Sequence, residues 1–209
     1  MNVLVAGLGK LGSVMAALLA NAGHTVVGID PNAKVRWAID HGLSPVDEPG
    51  LDDLIGRLHQ ESPGSLTALG TDMWTSAVGT TDAAMIGAPT PRLPAGGFDS
   101  ELVVNAVSDI AVRLRGDART TPYLIVVCST LSPGQMVADV VPAVEQHSGL
   151  TIGEGVLLAY SPEFIALGTV IADMTNPDIL LVGAQDLRSI EAVVNLSATY
   201  RAGVDDFLA

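Results

Sequence analysis

The sequence has a single cysteine, Cys128, in 209 residues, so no internal disulfide can form and a reducing compartment is its natural setting. Its four histidines, His24, His41, His59 and His147, lie scattered without ligand spacing and without a cysteine pair beside them, and no metal site is expected. Cations are scarce: 10 Lys and Arg stand against 23 Asp and Glu, a formal net charge of −13. Nucleic acid and anionic membrane surfaces are bound by clustered Lys and Arg, so neither is expected as a partner. The shortage is sharpest between Arg119 and Arg188, where no Lys or Arg occurs. Hydrophobic residues make up 48%, yet Gly, Pro, Asp or Asn cuts every apolar run short of the about 18 residues of a membrane span. The run at 2–6 is too short and lacks the basic flank of a signal peptide, so a cytoplasmic location is expected.

What is present is an alternation of apolar runs with amphipathic stretches. Strands are expected at 2–6, 25–29, 65–69, 83–88, 123–128, 156–160 and 178–183. In the first interval Leu11, Val14, Met15, Leu18 and Leu19 repeat at helical spacing, which predicts a buried helix from Lys10 to Asn21 ended by Gly23 as a left-handed cap. A second helix is expected to start at Asp30-Pro31, with proline in its first turn, and to reach about Gly42. Further helices are expected at 51–59, 72–78, 99–115, 133–147 and 186–200, and a rigid Pro- and Gly-rich loop at 88–99. The pattern predicts an α/β fold, Rossmann-like and doubly wound, with a mainly parallel sheet and helices on both faces. Residues 1–185 form the expected cofactor-binding domain, and 186–209 a C-terminal helix and tail leading on toward parts not in the sequence.

Gly7, Gly9 and Gly12 form a G-x-G-x-x-G that follows a strand and opens a helix, and Asp30 stands eighteen positions after the last glycine at the end of the second strand. The first glycine permits a tight turn, the second lets backbone approach a pyrophosphate, and the third lets helix and strand pack closely. The free N–H groups and positive dipole end of the helix then favour an anion. Asp30 suits a carboxylate that accepts hydrogen bonds from both adenosine ribose hydroxyls and repels a 2′-phosphate, which selects NAD over NADP. A competing role is N-cap of the second helix. Lys10 either helps neutralise the pyrophosphate or points to water.

Beyond the glycine loop, the stretches "GLGKLG" (7–12), "GID" (28–30), "SPVDEPGLDDLI" (44–55), "TD" (71–72), "APTP" (88–91), "CSTLSPG" (128–134) and "YSPEFIALGTVIADMTNPD" (160–178) occur in an order and spacing that resemble the N-terminal, NAD-binding part of the UDP-glucose/GDP-mannose dehydrogenase family. The resemblance implies oxidation of a sugar C6 hydroxymethyl to a carboxylate on a UDP- or GDP-sugar, with two NAD and a covalent intermediate on a catalytic cysteine. It implies that Gly7, Leu8, Gly9, Lys10, Leu11 and Gly12 cradle the pyrophosphate and that Asp30 binds the ribose. Pro89, Thr90 and Pro91 would line the adenosine side, and Ser129 and Thr130 would flank the nicotinamide. Thr130 and Glu163 would act catalytically, positioning and assisting a water, and the chain from Glu163 through Phe164, Ile165, Ala166 and Leu167 would meet the substrate. Taken without the family, Ser129, Thr130 or Ser132 equally suits the N-cap of the helix near Pro133, and Glu163 a first-turn carboxylate.

The sequence departs from the family pattern in several places. The Gly-rich motif with the catalytic cysteine is absent, and Cys128, at the end of an apolar strand with no Lys, Arg or His nearby in sequence, reads as a buried hydrophobe rather than a nucleophile. Residues 165–168 read IALG where the family carries an acidic residue, Ile179 stands in place of an arginine, and the basic residue expected after Asp30 is found only as Lys34 or Arg36. The stretch from Ser129 to Glu163 supplies no cation for a diphosphate, so one must come from elsewhere. Binding of NAD without turnover is therefore expected. The alternatives are a hydroxyacid-type dehydrogenase, a non-catalytic NAD-sensing or interaction module, or a half-enzyme completed by a partner chain, and homo-oligomerisation is left open.

Overall fold

A computed structural model describes residues 1–202. Seven strands form one sheet, β1 (Asn2–Ala6), β2 (Thr25–Ile29), β3 (Leu66–Leu69), β4 (Ala83–Ile86), β5 (Tyr123–Val127), β6 (Val156–Tyr160) and β7 (Gly183–Ala184), in the order β3-β2-β1-β4-β5-β6-β7. All pairings are parallel except that of β7 with β6. Winding runs outward from β1 through β2 to β3, then outward from β4 through β5 to β6, so the direction switches between β1 and β4. This is the doubly wound arrangement expected, and its crevice for a ligand lies at the carboxyl ends of those two strands.

Strand side chains alternate between two cores. Val3, Val5, Met85 and Val126 face α1 (Lys10–Asn21), α3 (Leu51–Glu61), α7 (Val170–Thr175) and α8 (Leu187–Ala198), while Leu4, Ile86, Ile125 and Val127 face α4 (Trp74–Thr80), α5 (Glu101–Leu114) and α6 (Val141–Ser148). With both faces covered, the strands read as continuous apolar runs. Helix α1 ends as expected: Gly23 has φ +90°, its N–H donates to Ala20 O, and the His24 N–H donates to Leu19 O, the paired bonds of a Schellman cap.

Several expectations are corrected. Helix α2 (Ala33–Asp40) begins after Asp30-Pro31, and its N-cap is Asn32, whose side chain accepts the Lys34 N–H at 3.0 Å. Residues 178–183 form no strand; only Gly183–Ala184 pair, because Asn176-Pro177 interrupts the approach and Ile179 and Leu181 lie exposed. Helix α7 was not expected, its six residues being too few to show a period. The helix expected at 133–147 is widened to a π-type turn at Met136–Val140 before α6. The part of the expected tail beyond residue 202 lies outside the described residues.

Candidate cofactor and substrate site

The three glycines occupy three different environments. Gly7 adopts φ +90°, and a Cβ there would stand 3.0 Å from Gly87 O, the first residue beyond β4. A Cβ on Gly12 would fall 1.8 Å from Gly7 O, so only hydrogen permits α1 to lie this close to the loop. A Cβ on Gly9 would meet nothing within 4 Å, so the missing side chain leaves open space in front of the helix. Gly9 is the N-cap of α1, and no acidic residue occupies the first turn. The first intrahelical bond is Ser13 N–H to Gly9 O, which leaves the N–H groups of Gly9, Lys10, Leu11 and Gly12 turned toward that space. These positions fit a pyrophosphate.

Asp30 caps nothing. Its Oδ2 accepts the Leu8 N–H at 2.9 Å and its Oδ1 the Asn32 N–H at 2.8 Å, so one carboxylate ties the glycine loop to the turn after β2 and still has lone pairs for hydroxyl donors. Of the two basic residues after Asp30, Arg36 is the one that meets it, its Nη1 donating to Asp30 O at 2.7 Å. Ser13, buried in α1, braces the loop from beneath by donating to Leu8 O at 2.6 Å.

Gly7, Asp30, Pro31, Ala88 and Pro89 line a cleft of about 470 Å³. Thr90 and Pro91 follow Pro89 outside this lining. Four residues from α5 join them, Leu102, Asn105, Ala106 and Asp109, at the i, i+3, i+4, i+7 spacing of a single helix face, together with Thr71 and Trp74. Sequence reasoning missed this wall, although the stripe within 99–115 was its signal. Partial burial raises the Asp109 carboxyl above its ordinary range.

At the carboxyl end of β5, Ser129 and Thr130 diverge. Ser129 is buried and donates to Ala88 O at 2.7 Å, binding this strand end to the loop after β4. Thr130 is exposed, and its hydroxyl has no protein partner among the described residues. None of Ser129, Thr130 and Ser132 caps a helix with its side chain: Gln135 is the N-cap of the turn at Met136–Val140, and Ser132 Oγ accepts the Phe98 N–H at 3.0 Å instead. Cys128 is 3% exposed, and burial, reinforced by Glu163, pushes its thiol well above the ordinary range.

Glu163 lies in an irregular loop after β6, not in the first turn of a helix. Its side chain is buried against that of Arg201, with Nη2 to Oε1 at 2.5 Å and side-chain exposures of 4% and 2% respectively. Arg201 Nη2 also donates to Tyr200 Oη at 2.8 Å. Burial opposes the guanidinium charge, and the Tyr200 and Glu163 oxygens overcome it and raise the arginine above its ordinary range. A cation thus does reach the Arg-free stretch, from beyond α8, but it neutralises Glu163. Beyond Glu163, Phe164, Ala166 and Leu167 are exposed, and Ile165 is half-buried.

A glycine-loop crevice at the switch point, with a carboxylate at the end of β2, defines a dinucleotide-binding domain of the Rossmann type. The chain belongs to the UDP-glucose/GDP-mannose dehydrogenase family: the model of its NAD binding domain matches residues 1–201. NAD is accordingly the cofactor of this domain. Over 198 residues the chain is 30% identical to the UDP-glucose 6-dehydrogenase AglM of Haloferax volcanii, covering 95% of this chain and 44% of the relative. Over 196 residues it is 34% identical to the GDP-mannose 6-dehydrogenase of Pseudomonas syringae pv. syringae, covering 94% and 43%. Among solved structures, a ternary complex of GDP-mannose dehydrogenase from Pseudomonas aeruginosa superposes with a TM-score of 0.86 at 29% identity, covering 95% of this chain and 44% of that one. A UDP-glucose dehydrogenase from Pyrobaculum islandicum superposes with a TM-score of 0.84 at 32% identity, covering 96% and 44%. The chain spans less than half the length of these relatives.

Proposed function

We propose that this chain is the cofactor-binding part of a nucleotide-sugar 6-dehydrogenase acting on a UDP- or GDP-linked sugar, that it prefers NAD to NADP, and that it binds NAD without completing the oxidation. The carrying observation is the Asp30 carboxylate joined to the Leu8 amide, beside the open space in front of Gly9. Gly7, Leu8, Gly9, Lys10, Leu11 and Gly12 hold the pyrophosphate, Asp30 the ribose, and Pro89, Thr90 and Pro91 the adenosine side. Ser129 fixes the strand ends beneath the nicotinamide, and the free Thr130 hydroxyl faces it. Bound NAD supplies the hydride acceptor for oxidation of a sugar alcohol.

Glu163 and the loop through Phe164, Ile165, Ala166 and Leu167 border the substrate side. Glu163 reaches a water only when Arg201 releases it. The thiol that such an oxidation needs is not Cys128, which is buried just past the end of β5. A cytoplasmic setting and self-association belong to the same proposal. Among the described residues no helix is long and apolar enough to cross a membrane.

Calorimetric titration with NAD, then NADP, then UDP-glucose tests this. Heat with NAD, little with NADP and, for the sugar, binding too weak to give more than a small or undetectable heat are expected. Silence toward NAD at millimolar concentration overturns the proposal.

A further inference from the structure

The acidic side chain of the "EPGL" stretch, Glu48, takes no part in the cofactor cleft. It is 8% exposed, and its Oε2 accepts the Gly168 N–H at 3.0 Å across 120 residues of chain. Burying a carboxylate is unfavourable unless hydrogen bonds replace its water, and a single amide replaces little of that. Helix capping does not account for it: Gly50 is the N-cap of α3, and Leu51 N–H reaches the main-chain carbonyl of Glu48. What the side chain does touch is the loop at the carboxyl end of β6.

That loop, residues 161–169, has no regular structure and is held by three carboxylates. Glu163 pairs with Arg201. Asp173 Oδ2 accepts the Ala166 N–H at 2.8 Å and the Thr169 hydroxyl at 2.9 Å. Glu48 holds Gly168. Between these anchors, the N–H groups of Phe164, Ile165 and Leu167 have no acceptor among the described residues. The side chains around them are open too, Phe164 being 57% and Leu167 67% exposed. With no Lys or Arg between Arg119 and Arg188, and Arg201 engaged by Glu163 and Tyr200, main-chain amides are the donors this loop itself offers to an oxygen-rich ligand.

Resting on the assignment of residues 163–167 to the substrate side, we propose that Glu48 is a positioning residue for this loop: by holding Gly168 it fixes the edge that offers the Phe164, Ile165 and Leu167 amides to oxygens of a nucleotide sugar. Amide hydrogen exchange followed by NMR on the 209-residue chain tests it, comparing the wild type with Glu48→Gln, which keeps a carbonyl acceptor, and Glu48→Ala, which keeps none. In Glu48→Ala the Gly168 and Ala166 amides exchange about tenfold faster or more, as expected for loss of one charge-assisted bond, while amides of α1 and β5 keep their rates. Glu48→Gln stays near the wild type. Unchanged Gly168 exchange in Glu48→Ala, an equal rise across the core, or a Glu48→Gln that behaves like Glu48→Ala overturns the positioning role.

Millimolar UDP-glucose and GDP-mannose, titrated separately, are expected to move the Phe164, Ile165 and Leu167 amide resonances in the wild type and in Glu48→Gln, and not in Glu48→Ala. Movement confined to Ala166 and Gly168, or no loop response to either sugar, overturns the offer to substrate. NAD titration of the same samples reports separately on the cofactor reading, since Glu48 lies outside that cleft.

Discussion

At the scale of single residues, two glycines three positions apart separate binding from folding. A methyl group on Gly9 enters open space, whereas one on Gly12 collides with the Gly7 carbonyl. Gly9→Ala is expected to melt within about 0.5 kcal/mol of the wild type while losing about tenfold or more in NAD affinity, because the methyl would enter the open space proposed for the pyrophosphate. Gly12→Ala is expected to cost about 3 kcal/mol in stability, since backbone rather than a flexible side chain must move. Urea melts and calorimetry on the same samples distinguish the two. Asp30→Asn keeps one carbonyl acceptor, so it must give up either the Leu8 or the Asn32 amide as well as the charge that repels a 2′-phosphate. Its NAD affinity is expected to fall by about tenfold to a hundredfold, the equivalent of one charge-assisted bond, and its discrimination against NADP to narrow. An unchanged NAD to NADP ratio would remove Asp30 from the ribose.

At the scale of elements, α8 is joined to the start of β2 by His24, whose Nε2 meets Thr199 Oγ1 at 2.9 Å while Nδ1 is buried without a partner. Burial, and after it the N-terminal ammonium, lower the His24 pKa below 6.5. The unfolded chain therefore binds more protons over the window just below 6.5, and stability falls as the pH drops through it; the contribution is fully present above that value. Urea melts between pH 5 and 8 are expected to show this slope in the wild type and a flatter one in His24→Gln. A slope that survives the substitution would assign it to other groups.

The elements also show what a sequence can disclose. Strands β1, β2 and β6 coincide with their predicted runs, since a strand covered on both faces is apolar along nearly its whole length, with only Asn2 and Thr25 polar at the first positions of β1 and β2. The run at 178–183 looked the same, yet Ile179 and Leu181 lie at the surface, because hydrophobicity alone does not record whether a neighbouring strand exists. The glycine loop and Asp30 were legible because their chemistry is local. Arg201 beside Glu163 and Gly168 on Glu48 were not, since each joins segments brought together only by the winding of the sheet; the α5 stripe was visible, but not that it walls the cleft.

At the scale of the whole molecule, the pair that matters most is Glu163 with Arg201, because it fastens the chain beyond α8 to the carboxyl end of β6. The chain is fastened again one residue on, where Ala202 N–H donates to Thr175 O at 2.8 Å, so this segment crosses from α8 toward the end of α7. The guanidinium also lies 4.9 Å from the centre of the Tyr200 ring, and its Nε is buried without a partner, so the arginine is held by one carboxylate, one hydroxyl and one aromatic face. Removing one member of a buried pair leaves the other charge without water or partner, at a cost of about 3 to 5 kcal/mol, whereas neutralising both can be close to neutral. Arg201→Met is therefore expected to be destabilised by about that amount, and the double variant with Glu163→Gln to recover most of it. Neither is expected to alter NAD affinity, because the pair lies outside the glycine-loop cleft. Urea melts of the single and double variants, with NAD titrated into each, decide the matter. If the double variant melted no higher than Arg201→Met, the arginine would be acting through its packing on Tyr200 and not as the counter-charge of Glu163.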